Sequence, residues 1–160
     1  MIRLLEPADL PRAAEVVRAS FATVAAQFGL TEQNAPRYTA FVTTAERLQS
    51  FFDAGALMYG FFDEKQFAGY VSISKEARDT YEIHNLAVLP EYRHRGYGRQ
   101  LLDACKAKVK ELDGTKLILG IIEENTVLKD WYAANGFVHT GTKKFDFFPF
   151  TSGHMEYTIR

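Results

Sequence analysis

Cysteine is nearly absent from this chain: Cys105 is the only one. One cysteine excludes an intrachain disulfide and a cysteine-built zinc knuckle. It fits a reduced compartment, and a cytoplasmic protein is expected. Long apolar runs are also missing. Nothing approaches the roughly 20 residues that span a bilayer. The N-terminal MIRLLEPADL lacks the basic-then-apolar layout of a secretory signal. No membrane partner is expected. A surplus of one charge is missing too. Nineteen Lys and Arg stand against 20 Asp and Glu, for a net charge of −1. Bulk electrostatics therefore gives no pull toward phosphate backbones, and no nucleic-acid partner is expected. No repeat, low-complexity tract or Pro/Ser linker divides the chain, so residues 1–160 read as one domain.

What is present is a patterned globular chain, 47% hydrophobic. Ile2 to Leu5 is a short strand candidate. A helical pattern then runs to about Phe28, with Ala13, Val16, Val17, Phe21 and Val24 on one stripe and Gly29 as its stop. Thr43 and Glu46 have capping-box spacing before a second helix bearing Leu48, Phe51 and Phe52. ALMYGFF (56–62) and FAGYVSIS (67–74) read as a hairpin joined by the four polar residues 63–66. YEIHNLAVLP (81–90) is a third strand. Leu101, Leu102, Cys105, Val109 and Leu112 then repeat at helical spacing. KLILGII (116–122) has the continuous apolar character of a strand buried on both faces. Glu124 to Asn135 is helical, with Val127, Leu128, Trp131 and Tyr132 inward. FVHTGTKKF (137–145) and HMEYTIR (154–160) are closing strands. The order is β-α-α-β-β-β-α-β-α-β-β: a mixed α/β fold with about seven strands in one sheet and about four flanking helices.

Between the third strand and the helix after it lies YRHRGYGRQLL (92–102). A helix start carries N–H groups without intrahelical partners and the positive end of the macrodipole. An anion docks there readily. Gly96 and Gly98 remove Cβ atoms that would hold a phosphate off the backbone, and Arg93, Arg95 and Arg99 add charge. A pyrophosphate suits this loop; a plain strand-to-helix turn with solvated arginines is the alternative. No Gly-Lys-Ser/Thr follows, so it is not a P-loop. Leu101 stands where a dinucleotide fingerprint needs its third glycine.

The segment LAVLPEYRHRGYGRQLL (86–102) resembles the acetyl-CoA signature of the GNAT superfamily of N-acetyltransferases, Gln/Arg-x-x-Gly-x-Gly/Ala, met here by Arg93, Gly96 and Gly98. A second block, ENTVLKDWYAANGF (124–137), resembles another family motif through Asn125, Tyr132, Gly136 and Phe137, with Leu128 where alanine is common. The resemblance spans residues 56–160 in motif and the whole chain in element order. It implies acetyl-CoA as co-substrate, with its pyrophosphate cradled by the backbone amides of Arg95, Gly96, Tyr97, Gly98 and Arg99, and with Arg93 and His94 also among the cofactor-binding residues. The pantetheine arm would lie in a V between strands and pair with main-chain groups of Leu86, Ala87 and Val88. Asn125 would bond the same arm; it is equally a natural helix N-cap. Tyr132 would protonate the departing thiolate, and its alternative is a core aromatic.

An ammonium must lose a proton before it can attack a thioester. Alternation places Glu82, His84 and Leu86 on one strand face. Glu82 lies eleven residues before Arg93, the offset at which histone-acetylating relatives carry a base. Neighbouring Tyr81 and Ile83 would raise its pKa, while His84 titrates near neutrality unaided. Both are candidate bases; acceptor binding is their alternative role. A third version, with a base five residues before the motif asparagine, is closed because Gly120 stands there. Cys105 falls on an apolar stripe and reads as core. His139 and His154 lack partners at metal spacing, and no metal is expected. The acceptor is expected to be a small-molecule or peptide amine. The resemblance implies that it enters between the first two helices and the loop joining the last two strands, KKFDFFPFTSG (143–153), where Phe145, Phe147, Phe148 and Phe150 would form an apolar wall and Asp146 or Glu156 would attract an amine. Sheet cover or a homodimer contact is the other reading of those rings. Against the N-acetyltransferase stands one alternative class, a weakly catalytic acyl-CoA-binding or regulatory module.

Overall fold

The computed structural model describes residues 1–160. Strand β1 (Ile2–Leu4) leads through a short 3-10 turn into helix α1 (Leu10–Gln27). A single helical turn α2 (Thr39–Val42) and helix α3 (Ala45–Asp53) follow. Strands β2 (Leu57–Asp63), β3 (Gln66–Lys75) and β4 (Thr80–Val88) form an antiparallel meander. Helix α4 (Tyr97–Glu111), strand β5 (Lys116–Ile122), helix α5 (Thr126–Ala134) and strands β6 (Val138–Lys144) and β7 (Thr151–Thr158) complete the chain. The sheet order is β1-β2-β3-β4-β5-β7-β6. The expected order of elements holds, with α2 as the one helical segment not expected.

Apolar spacing explains both faces. Ala13, Val16 and Val17 of α1 are fully buried with Leu48 of α3 against Met58 and Tyr70 of the sheet. On the opposite face, Leu101, Leu102, Cys105 and Val109 of α4 are buried on Val71, Ile73 and Leu117. Each such aliphatic side chain contributes about 1.5–3 kcal/mol relative to exposure. Cys105 is core, as expected; burial pushes its thiol up to about 12, so it is no ready nucleophile.

Local expectations shift in four places. The cap of α3 is Thr44, whose hydroxyl accepts from the Arg47 amide at 3.1 Å, not Thr43. Thr43 instead donates back to the Thr39 carbonyl. The β2–β3 loop is shorter than four residues, because Asp63 and Gln66 pair across the ladder. Glu64 turns the chain there at φ 58°. In β5 the burial is not two-sided: Gly120 is exposed. Val127 points outward, 77% exposed, because α5 begins with its first turn off the core.

The sheet is split in the middle. β4 and β5 are its only parallel neighbours, and they pair at just three positions, Thr80↔Lys116, Tyr81↔Leu117 and Glu82↔Ile118. Beyond Glu82 the strands part, while β4 stays paired to β3 and β5 to β7. A bulge marks the parting: Tyr70 faces Ala87 but Ser72 faces His84, so β4 carries one residue more than β3. Asn85 absorbs it at φ 56°. Bulges bend a strand and raise its twist.

Candidate active site

The split holds one large cavity of about 770 Å³. Its walls come from α1, the turn before α2, β4, the loop into α4, β5, α5 and the β6–β7 loop. That size suits a small-molecule site.

At the mouth of the split the chain leaves β4, turns at Pro90 to Tyr92 and enters α4 through His94 (φ 63°) and Gly96 (φ 83°). These left-handed conformations turn successive amides the same way, as in an anion nest. None of the backbone N–H groups from His94 to Arg99 donates to an acceptor within the chain; the first helical bond is Gln100 to Gly96. A Cβ on Gly96 would meet nothing within 4 Å but would be strained by the positive φ. Gly98 has less need of its freedom, since its Cβ would touch Trp131 at ordinary distance, 3.6 Å.

The arginines divide their labour differently from the sequence expectation. Arg93 is turned into the fold: its guanidinium donates to the Val88 carbonyl, the Thr23 hydroxyl and the Ser20 carbonyl, at 2.9 to 3.0 Å. It fastens the loop to α1, so only its charge and backbone remain for a ligand. Arg95 lies outside the cavity lining, against Asp63 at 3.4 Å and over the Tyr92 ring. Arg99 lines the cavity and is exposed. Tyr97 stacks on Phe61 at 4.0 Å and donates to Asp63 at 2.6 Å, fixing the first turn of α4.

Leu86, Ala87, Val88, His94, Gly96, Tyr97 and Gly98 all line the cavity with Asn125 and Tyr132. Asn125 is buried and caps α5 by accepting the Leu128 amide at 3.2 Å, which leaves its side-chain NH₂ free of partners. Tyr132 packs edge-on between Trp131 and Phe137 and is 5% exposed. Burial, reinforced by Cys105, pushes its hydroxyl well above the ordinary phenol range. It stays protonated at neutral pH, as a proton donor must.

Glu82 and His84 share the α1-facing side of β4, but Leu86 does not. The extra residue at Asn85 flips it to the opposite side, among Ile83 and Tyr81. Burial pushes the Glu82 carboxyl up to about 7, helped by a hydrogen bond and charge repulsion from Glu76. Burial lowers His84, partly opposed by Glu76. The His84 Nε2 lies 3.7 Å from Glu82 and 2.8 Å from the Ser74 hydroxyl, which reaches Glu76 at 3.3 Å. The sequence reading missed Ser74 and Glu76. Ser74 was recoverable as the cross-strand partner of Glu82; Glu76 lies in an exposed turn with no local signal. Ligating atoms of Glu76, Glu82 and His84 lie within 4.8 Å of one another, a grouping that His and Cys spacing did not reveal.

The four phenylalanines separate. Phe148 and Phe150 line the cavity, stacked at 4.6 Å, with Tyr38 edge-on to Phe150 at 6.0 Å and Phe21 behind it. Phe145 and Phe147 lie outside the lining, Phe147 under the Arg37 guanidinium. Asp146 and Glu156 also lie outside it, and Glu156 pairs with Lys116 at 3.3 Å. They are not the amine-attracting groups expected. Lys144 donates to the carbonyls of Phe148 and Phe150, and Glu124 accepts the Thr151 amide, so the aromatic loop is pinned at both ends.

A sheet split between parallel strands, with unpartnered amides at its mouth and acid–base groups along its depth, defines an acyltransferase architecture. The chain belongs to the acetyltransferase (GNAT) family, whose model matches residues 26–137. No curated protein sequence matches it. Among solved structures it is similar to the PaiA N-acetyltransferase of Thermoplasma acidophilum in complex with coenzyme A, with 24% identity, TM-score 0.83, and 99% and 98% of the two chains covered. It is also similar to the ribosomal-protein-S18-alanine N-acetyltransferase of Escherichia coli, with 20% identity, TM-score 0.76, and 99% and 93% covered. A third is YncA, a putative acetyltransferase of Salmonella typhimurium with acetyl-CoA, at 18% identity, TM-score 0.77, and 100% and 94% covered. At these identities the three establish the fold. No helix is long and apolar enough to cross a membrane.

Proposed function

We propose that this protein is an N-acetyltransferase that passes the acetyl group of acetyl-CoA directly to a primary amine while both substrates are bound. The observation that carries this reading is the continuous run of free amides from His94 to Arg99, set at the mouth of the β4–β5 split. The same split leads to Glu82, His84 and Tyr132. The residues fit the co-substrate. The amides and the open face of Gly96 suit a pyrophosphate. The edge of β4 left unpaired by β5 suits an extended arm that adds like a strand, along Leu86 to Val88. The free amide NH₂ of Asn125 faces the same space.

Each proton has a place to go. Glu82, with its raised pKa, takes the first proton from the acceptor ammonium. The neutral nitrogen attacks the thioester carbonyl carbon, the C–N bond forms and the C–S bond breaks. The Tyr132 hydroxyl gives its proton to the departing sulfur and is restored by the second nitrogen proton. One proton leaves per turnover. Ser74 and Glu76 offer it an exit from His84 and Glu82 toward solvent. His84 serves beside Glu82 as a second acceptor of the amine proton.

Calorimetric titration with acetyl-CoA, followed by thiol release over a panel of amines, tests the proposal. Binding together with amine-dependent release is expected. Binding with no release for any amine would mean a non-catalytic acyl-CoA module. Tighter competitive binding of ATP or a dinucleotide would defeat the reading altogether.

A further inference from the structure

The acceptor end of the cavity is poor in charge. Of all the cavity's lining residues, histidines aside, only Glu82, Arg93 and Arg99 are acidic or basic. Arg99 belongs to the start of α4, and the Arg93 donors are taken up by Val88, Thr23 and Ser20. Glu82 is therefore the one carboxylate lining the acceptor end; Glu76 stands behind it, outside the lining. Nearby carboxylates are committed elsewhere: Glu76 to Ser74 and Glu82, Glu123 to Lys129 and His139, Glu124 to the Thr151 amide, Glu156 to Lys116. The rest of the wall is uncharged: beside Gln27, Thr39, Asn85 and Ser152 it is aromatic, with Phe148 stacked on Phe150 and Tyr38 and Phe21 in edge contact behind them.

We infer that the acceptor is a primary monoamine carrying one aromatic ring and no second charge. This rests on the acetyltransferase reading and sharpens it. The amine itself engages Glu82, and the ring lies against Phe148 and Phe150, where offset or edge-on packing is favourable. A diamine or polyamine whose first amine engages Glu82 would place its second ammonium against phenyl rings, where no second carboxylate lines the wall. An amino acid would bring a carboxylate to a wall lined by no free cation, Arg37 being laid over Phe147 outside the lining. Burying either unpaired charge is costly.

Steady-state kinetics with four probes tests this: 2-phenylethylamine, phenylalanine, 1,4-diaminobutane and spermidine. The first two share a ring and differ by one carboxylate. 2-Phenylethylamine should exceed each of the others in kcat/KM by about a hundred-fold or more, because a buried unpaired charge is costly. Phe150→Asp adds the missing carboxylate and should shift the ratio of diaminobutane to phenylethylamine at least about ten-fold toward the diamine. Acetyl-CoA affinity should stay unchanged. Should that variant fail to fold, Ser152→Asp, on the same wall, makes the same test. Equal or faster turnover of phenylalanine or spermidine by the unmodified protein overturns the acceptor class and leaves the transferase intact. Acetyl-CoA binding with no release for any of the four, or for simple alkyl amines, overturns both.

Discussion

The two ends of the cavity are made in opposite ways. The mouth, from His94 to Arg99, is built of backbone: six consecutive amides, two left-handed turns and one glycine with open space before it. The acceptor end is built of side chains drawn from α1, the turn before α2, β4 and the β6–β7 loop. A backbone site tolerates changes in side chain and fails when its dihedral angles fail. A side-chain site does the reverse. Under the proposed function, a common donor would be held by a rigid main-chain cradle and the acceptor selected by replaceable surfaces.

The largest expected effect falls on the cradle. Gly96→Val forces a β-branched residue to φ 83° and sets a side chain before the amides. Acetyl-CoA affinity should fall by about a hundred-fold or more in calorimetry, the scale of several lost charge-assisted hydrogen bonds. Tyr132→Phe comes next. It should lower kcat by about a hundred-fold, the low end for a lost general acid, with acetyl-CoA affinity preserved. An unchanged kcat would return Tyr132 to the core aromatics.

The titrating pair separates chemistry from stability. The folded Glu82 carboxyl is raised from near 4.5 to about 7. The folded state therefore holds that proton more tightly than the unfolded chain. Stability is lost as pH climbs from about 4.5 to about 7 and stays lower above. Glu82→Gln should raise Tm at pH 8 relative to the parent, leave it nearly unchanged at pH 4, and remove the limb near pH 7 from kcat/KM. Glu76→Gln, by removing the charge that adds to burial in pushing Glu82 up, should move that limb to lower pH. A limb that stays put would dissociate Glu76 from the reaction.

Smaller effects test the acceptor end and the scaffold. Phe148→Ala should raise the KM of an aromatic amine by about ten-fold, the effect of losing one ring contact of about 1 kcal/mol or more, and leave the KM of acetyl-CoA alone. A matching change in both would mean the two ends are not separable. Thr44→Ala should cost about 1 kcal/mol of stability through the lost cap and leave kinetics unchanged.

Where a feature depends on local spacing, the sequence was readable. The stripe that buries Leu101, Leu102, Cys105 and Val109 follows helical period. The Asn125 cap and the glycine-opened helix start follow from residue type at one position. Readings failed where a distant contact decided. Leu86 changed sides because one extra residue at Asn85 breaks the two-residue period, and no local signal announces a bulge. Arg93 looked like a phosphate ligand, yet its partners Ser20 and Thr23 lie some seventy residues away. The four phenylalanines looked alike, and only the pinning of their loop by Lys144 and Glu124 sends Phe148 and Phe150 inward and leaves Phe147 under Arg37.

By itself, then, the sequence determined the order of the elements, the helical stripe behind the cleft and the anion-seeking turn at 93–99, because each depends on neighbours within a few residues. Tertiary structure decided the rest. It parted β4 from β5 after three pairs, brought Ser74 and Glu76 to His84 and Glu82, and left Glu82 as the one carboxylate facing an aromatic wall. Those outcomes depend on burial and on pairing between remote segments, which set the pKa of a carboxyl and the charge of a pocket only once the chain has closed around them.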